Sequence, residues 1–160
     1  MTPDDVADFA RRAHAGQVDR QGRDYFQHHL LPISALLAPF GDDAATAGLL
    51  HDVLEDTDAT ADDLRALGLP DAVVTAVESV TRRDDEPYEA LIERAAAHPL
   101  GRLVKLADNW HNLSSNAELA RQDPDKAARL RQRYEAARAT LTASLVGQGV
   151  WINPTPAARD

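Results

Sequence analysis

The chain contains no cysteine, and aromatic residues make up only 5 % of its 160 positions. Without thiols there are no disulfides and no thiolate ligands, so any metal ion must be held by histidine and carboxylate. Few aromatics and only short β-branched runs leave little of the usual material for strands. No apolar stretch approaches the roughly 18 residues of a membrane span. The start, Thr2-Pro3-Asp4-Asp5, has neither a basic segment nor an apolar run, so no signal peptide is expected and a cytoplasmic protein is the simplest placement. Positive charge is also short. With 17 basic against 26 acidic residues the formal charge is −9, which argues against a non-specific nucleic-acid binder. An anionic small molecule remains possible, because a metal and a few arginines can reverse the field inside one cleft.

What is present is helical. Alanine and leucine are abundant, hydrophobic residues reach 44 %, and the length suits one domain with one core. The apolar spacing predicts helices at about 3–15, 28–39, 42–56, 60–67, 70–81, 87–97, 99–114 and 124–146. Thr2 before Pro3 predicts an N-cap, as does Thr60 three residues before Asp63, and Pro70-Asp71 opens the next helix. Gly41 and Gly68 are expected as stops. Residues 16–27 form the one long polar connection, of a length often functional inside a compact domain. The expectation is an all-α, single compact bundle of about eight helices over residues 1–150, followed by a short frayed tail, 151–160.

The densest chemistry lies in His51-Asp52-Val53-Leu54-Glu55-Asp56. Leu49, Leu50, Val53 and Leu54 mark a buried stripe, and an unpaired charge beside it is costly. On a continuous helix His51 and Glu55 lie about 40° apart, as do Asp52 and Asp56. The spacing therefore predicts that all four groups converge on one quadrant, where a divalent metal satisfies them together. The competing reading is a helix end with solvated acidic residues. Two segments supply further donors: Tyr25-Phe26-Gln27-His28-His29, and the apolar run that leads through Lys105-Leu106-Ala107 to Asp108 and Asn112.

These residues carry a resemblance. His14 to Gln17, Tyr25 to His28, His51 to Asp56 and Lys105 to Asn112 match, in order, four motifs of the HD-domain metal-dependent phosphohydrolases. The details are most similar to RelA/SpoT-type hydrolase domains and stand-alone small alarmone hydrolases, over about residues 4–145. The resemblance implies an HD hydrolase domain holding Mn²⁺, with other divalent ions possible, through His28, His51, Asp52 and Asp108. It implies that Glu55, first, or Asp56, second, orients or deprotonates the attacking water. Arg20 and Asn112 would contact an anionic nucleotide, with Lys105 near the site or supporting it. The implied reaction removes the 3′-pyrophosphate of guanosine tetra- or pentaphosphate. No nucleic-acid or membrane partner is implied, and a homo-oligomer is neither required nor excluded.

The chain departs from the family pattern at several points. Asp19-Arg20 stands where two consecutive basic residues are usual, which puts guanine preference in question; Asp19→Arg is then expected to strengthen guanine-nucleotide binding. His29 replaces a usual proline, leaving two adjacent imidazoles, and spacing from Tyr25 favours His28. Asn109-Trp110 replaces Arg-Leu. Trp110 could stack on a base or pack in the core, and His111 could touch substrate or cover the site. His14 is expected to pack or cap, His98 to sit at a helix end favoured by the dipole, and Arg82-Arg83 to lie in a solvated loop. Arg121 to Arg138 is expected to form a surface helix with charge pairing. Alternatives are hydrolysis of another nucleotide (pyrophosphorylated adenosine, NADPH or a monophosphate), a non-catalytic metal or nucleotide sensor, and a structural module with a buried polar network. Retention of both Glu55 and Asp56 argues against the sensor, and the lack of a Lys or Arg within the hexapeptide against the network.

Overall fold

In the computed structural model, which describes residues 2–143, the described chain holds nine α-helices and no strand. They are α1 (Pro3–Ala13), α2 (Leu31–Leu37), α3 (Asp42–Leu50), α4 (Val53–Asp56), α5 (Ala61–Ala66), α6 (Asp71–Val80), α7 (Tyr88–Ala97), α8 (Pro99–Gln122) and α9 (Pro124–Ala143). A π-turn, Phe26–Leu30, leads into α2, and a 3₁₀ turn, Ala38–Phe40, leaves it. The boundary expected at 150, the tail 151–160 and the last residues of the helix expected over 124–146 lie outside the described residues. No helix among those described is long and apolar enough to cross a membrane.

Local chemistry sets the helix starts. The Thr2 hydroxyl accepts from the Asp5 N–H at 3.3 Å, while the Asp5 carboxylate accepts from the Thr2 N–H at 2.8 Å. Thr60 and Asp63 repeat this reciprocal cap before α5, satisfying donors that every helix start leaves unpaired. Gly68 ends α5 with a left-handed φ of 77°, and Gly41 turns the chain into α3 with φ 107°, conformations that cost glycine little. The core is aliphatic: Leu30, Ile33, Leu50, Val73, Val74, Val77, Val104 and Leu141 are each fully buried. The long α8 packs against α2, α3, α6, α7 and α9, so residues on its inner face can meet groups from most of the bundle. Gly48 lets α3 approach α2 closely, since a Cβ there would lie 2.5 Å from Leu37 Cδ1.

Two expectations are revised. The helix expected over 42–56 is broken: α3 stops at Leu50, Asp52 adopts φ −100° and ψ −1°, and α4 restarts as a single turn. That conformation belongs to the sparsely allowed bridge region. The helix expected to stop near 114 continues to Gln122.

His98 does lie at a helix end, between α7 and α8, but not as a charged partner of the α7 dipole. Its Nδ1 accepts from the Gly101 N–H at 3.0 Å, capping α8, and a ring that accepts is neutral there. Burial pushes its imidazole below the ordinary 6.5. The unfolded chain therefore takes up the proton first, so this contribution to stability is complete above about pH 6.5 and is lost as pH falls below it. His98→Ser keeps an acceptor that does not titrate. Wild type is expected to lose more in Tm than this variant between pH 7.5 and 5.5; equal losses would contradict the assignment.

Candidate metal centre and its cleft

Four side chains from three segments meet at the base of one cleft. His29 comes from the π-turn, His51 and Asp52 from the break between α3 and α4, and Asp108 from the inner face of α8. His29 Nε2 lies 3.3 Å from Asp52 Oδ2 and 3.6 Å from Asp108 Oδ1. His29, His51 and Asp108 each offer a ligand atom within 4.8 Å of the others, and all three are buried.

His28, the spacing-based choice, is exposed and lies outside this cluster. Both imidazoles sit on the π-turn. Leu31 N–H bonds to Phe26 O, five residues back instead of four, so one extra residue sits in the turn. The motif spacing, three on from Tyr25, selects the outward imidazole, and it is the next one, His29, that faces inward, its ring stacked on that of Tyr25.

The cluster is electrostatically incomplete. His51 Nδ1 is 2.8 Å from the Gly48 carbonyl oxygen, which only accepts, so Nδ1 carries the proton. His51 Nε2 is buried without a directed hydrogen bond, 2.9 Å from Asp52 Oδ2 and 3.9 Å from Asp108 Oδ1. A lone pair facing two carboxylates calls for a second proton or a cation. Burial pushes the imidazole down, but Asp52 and Asp108 outweigh it and raise it to about 9. Burial likewise opposes ionisation of both carboxyls, yet His51 and His29 beside Asp52, and Lys105 and His51 beside Asp108, hold them below the usual carboxylate range. The His29, His51 and Asp108 donors, with Asp52 Oδ2 against both rings and the spare ring nitrogen of His51 fixed by a backbone carbonyl, can hold a divalent ion.

A second ring of contacts holds this set. The Tyr25 hydroxyl donates to Asp52 Oδ2 at 2.5 Å, and its ring stacks on His29 with centroids 4.6 Å apart. Lys105 Nζ donates to Asp108 Oδ2 at 2.9 Å and Asn112 Nδ2 to Asp108 Oδ1 at 2.6 Å. Lys105 and Asn112 thus reach the cleft while anchoring a cluster carboxylate.

Glu55 and Asp56 line the cleft but do not enter the cluster. The break at Asp52 abolishes the single quadrant expected for the hexapeptide. Asp56 Oδ2 accepts from Gln17 Nε2 at 2.7 Å, and Gln17 Oε1 is 2.7 Å from buried His14 Nδ1. Glu55 Oε2 accepts the Arg82 backbone N–H at 2.9 Å. Arg82 thereby serves the site through its main chain, from the loop where it was expected.

The polar loop folds over the cleft mouth around Asp19. Its carboxylate accepts from the N–H groups of Gln21 and Arg23, each at 2.9 Å, and from Arg23 Nε at 2.8 Å. Burial pushes this carboxyl up, but the donors of Arg23 and Gln21 hold it below its ordinary value. Beside it, Arg20 Nη1 donates to the Tyr134 hydroxyl at 2.9 Å. The acidic residue at position 19 is a keystone of the loop. Asp19→Arg removes three hydrogen bonds and is therefore expected to raise KM for a nucleotide several-fold, reversing the expectation from the family pattern; a lower KM would refute this.

The cleft has a volume of about 290 Å³. Sequence reasoning missed three of its walls: Tyr88 at the head of α7, and Arg133 and Tyr134 on α9. Tyr134, a buried aromatic in a helix of arginine and alanine, was the one available signal. Asn109 fixes that turn by donating to the Tyr134 carbonyl at 2.9 Å. His111 also lines the cleft, edge-on to His29 at 5.1 Å, and Trp110 does not line it.

The family described as "HD domain" matches residues 7–144. A GTP pyrophosphokinase of Streptomyces coelicolor is 36 % identical over 131 residues, covering 75 % of this chain and 15 % of that protein. The bifunctional (p)ppGpp synthase/hydrolase SpoT of Escherichia coli is 34 % identical over 134 residues, 76 % of this chain and 18 % of that one. The chain thus spans less than a fifth of the length of these curated relatives. A solved structure, described as a metazoan ortholog of SpoT that hydrolyzes ppGpp and plays a role in starvation responses, superposes with TM-score 0.63 at 26 % identity, covering 92 % of this chain and 96 % of that one.

Proposed function

The chain belongs to the HD-domain family, and from that premise we propose that it is a divalent-metal-dependent phosphohydrolase that removes the 3′-pyrophosphate from guanosine tetra- and pentaphosphate. The observation that carries the metal is His51 Nε2, buried, without a directed partner and facing two ionised carboxylates. The likeness to proteins named for ppGpp hydrolysis supports the substrate.

His29, His51, Asp52 and Asp108 would hold the ion, Mn²⁺ by the family resemblance. When bound, such an ion activates water and offsets phosphate charge. The protein does the rest. Tyr25 orients Asp52 and His29, while Lys105 and Asn112 fix both oxygens of Asp108. Glu55, steadied through one oxygen by the Arg82 N–H, takes the proton of the attacking water with the other. Asp56, held by Gln17 and His14, keeps a second carboxylate at the cleft wall. The water oxygen bonds to the phosphorus on the 3′ oxygen, that P–O bond breaks, and the 3′ oxygen leaves with a proton. The products are pyrophosphate and the nucleotide with its 5′ phosphates. Arg20, a cation at the cleft mouth, meets the substrate's negative charge.

The test is product release with added Mn²⁺ from guanosine tetraphosphate, its adenosine counterpart, NADPH and plain monophosphates. Pyrophosphate from the guanosine compound is expected. Turnover of another member alone would move the substrate, and metal binding with silence across the panel would replace the enzyme by a sensor.

A further inference from the structure

The cleft has a shortage of positive charge that one arginine outside the matched motifs relieves. Five carboxylates line it, those of Asp19, Asp52, Glu55, Asp56 and Asp108, against three cations, Arg20, Lys105 and Arg133. Lys105 is committed to Asp108 at 2.9 Å, and Arg23 rather than a cleft cation answers Asp19. Among the described residues, Arg20 and Arg133 have no carboxylate within ion-pair distance, and neither is bonded to the metal-centre cluster.

Arg133 is nevertheless held. Its guanidinium carbon lies over the Tyr88 ring, 3.6 Å from the centroid, a cation–π contact between α9 and α7. Two residues earlier on α9, Arg131 has the ordinary surface fate, an ion pair with Glu135 at 2.8 Å. The contact seats Arg133 over the ring, and no N–H of its side chain is hydrogen-bonded to another described residue, which leaves a guanidinium available for phosphate. Asn109 on α8 secures the adjacent Tyr134 carbonyl, and the Tyr134 hydroxyl receives Arg20. One turn of α9 therefore carries both Arg133 and the hydroxyl that holds Arg20.

We propose that Arg133, seated on Tyr88, is a substrate-selecting residue that binds, together with Arg20, a second phosphate group remote from the one cleaved. The cleft then selects nucleotides phosphorylated at both ends of the sugar over those carrying phosphate at one end. This rests on the phosphohydrolase reading for its chemistry, and it adds which residues of this chain read the far end of the substrate.

The experiment compares guanosine 3′,5′-bis(diphosphate) with guanosine 3′-diphosphate, which lacks the 5′ phosphates, in wild type, Arg133→Ala, Arg133→Lys, Tyr88→Leu and the control Arg131→Ala. Wild type is expected to prefer the doubly phosphorylated compound in kcat/KM. Arg133→Ala reduces that preference at least tenfold through KM, Arg133→Lys restores part of it, Tyr88→Leu reduces it several-fold, and Arg131→Ala leaves it as in wild type. An unchanged preference in Arg133→Ala overturns the proposal. Calorimetric binding of the same two nucleotides is measured alongside. If wild type hydrolyses neither, the phosphohydrolase reading fails, and the binding arm still decides this one: loss of affinity for the doubly phosphorylated nucleotide alone in Arg133→Ala upholds it, and equal affinities overturn it.

Discussion

Asp52→Asn is expected to abolish Mn²⁺ binding and to lower hydrolysis more than a hundredfold, with the helical fold retained. Asp52 Oδ2 is the shared point of the cluster, 2.9 Å from His51 Nε2, 3.3 Å from His29 Nε2 and 2.5 Å from the Tyr25 hydroxyl. An amide of the same shape still hydrogen-bonds to Tyr25 but brings no negative charge for a cation. Even substitutions outside a metal's direct ligands commonly cost 10- to 100-fold in affinity or activity, so loss of a ligand falls beyond that range. Calorimetric titration with Mn²⁺ and pyrophosphate release check it. A folded Asp52→Asn protein that works at the wild-type rate in the presence of chelator would end the metal-centre reading. The same measurements separate the adjacent imidazoles: His29→Ala is expected to behave like Asp52→Asn, and His28→Ala, at an exposed position, like wild type. The reverse pattern would return the ligand role to His28.

The second large effect is a division between binding and rate. Glu55→Gln is expected to keep Mn²⁺ affinity within about twofold while kcat falls 10²- to 10⁴-fold, the usual range for losing a positioned general base. The structure motivates the division: Glu55 lines the cleft yet stands apart from the cluster, and its Arg82 N–H contact survives the change to glutamine. A metal affinity that drops with the rate would make Glu55 a ligand. An unchanged rate would pass the role to Asp56, whose carboxylate the His14–Gln17 pair holds.

Much of the molecule was written locally. Thr2, Thr60 and the glycines at 41 and 68 act through their immediate neighbours, so their helix ends could be read directly from composition and spacing. His51, Asp52 and Asp108 could be singled out because each is a polar group set in an apolar helical pattern, which requires a partner wherever the chain folds. The departures fall at two irregular points of the chain. His28 and His29 lie on the π-turn, where the family spacing from Tyr25 picks the outward ring, and the break at Asp52 separates Glu55 and Asp56 from the pair they follow. Neither departure leaves a mark in the apolar periodicity of the sequence.

The sequence by itself determined an all-helical chain without thiol chemistry, its helix starts, and a set of histidines and carboxylates suited to a divalent ion, because these follow from residue type and short-range spacing. Tertiary structure alone decided which of two neighbouring histidines faces the carboxylates, that Asp19 builds the loop in place of contacting a ligand, and that Arg133 and Tyr134 of a polar, arginine-rich helix form a wall of the cleft. The Asp19 loop is closed by partners two and four residues away, but the walls of the cleft depend on contacts between residues far apart in the chain, such as Arg20 with Tyr134 and Asn109 with the Tyr134 carbonyl, and such contacts exist only once the helices have packed.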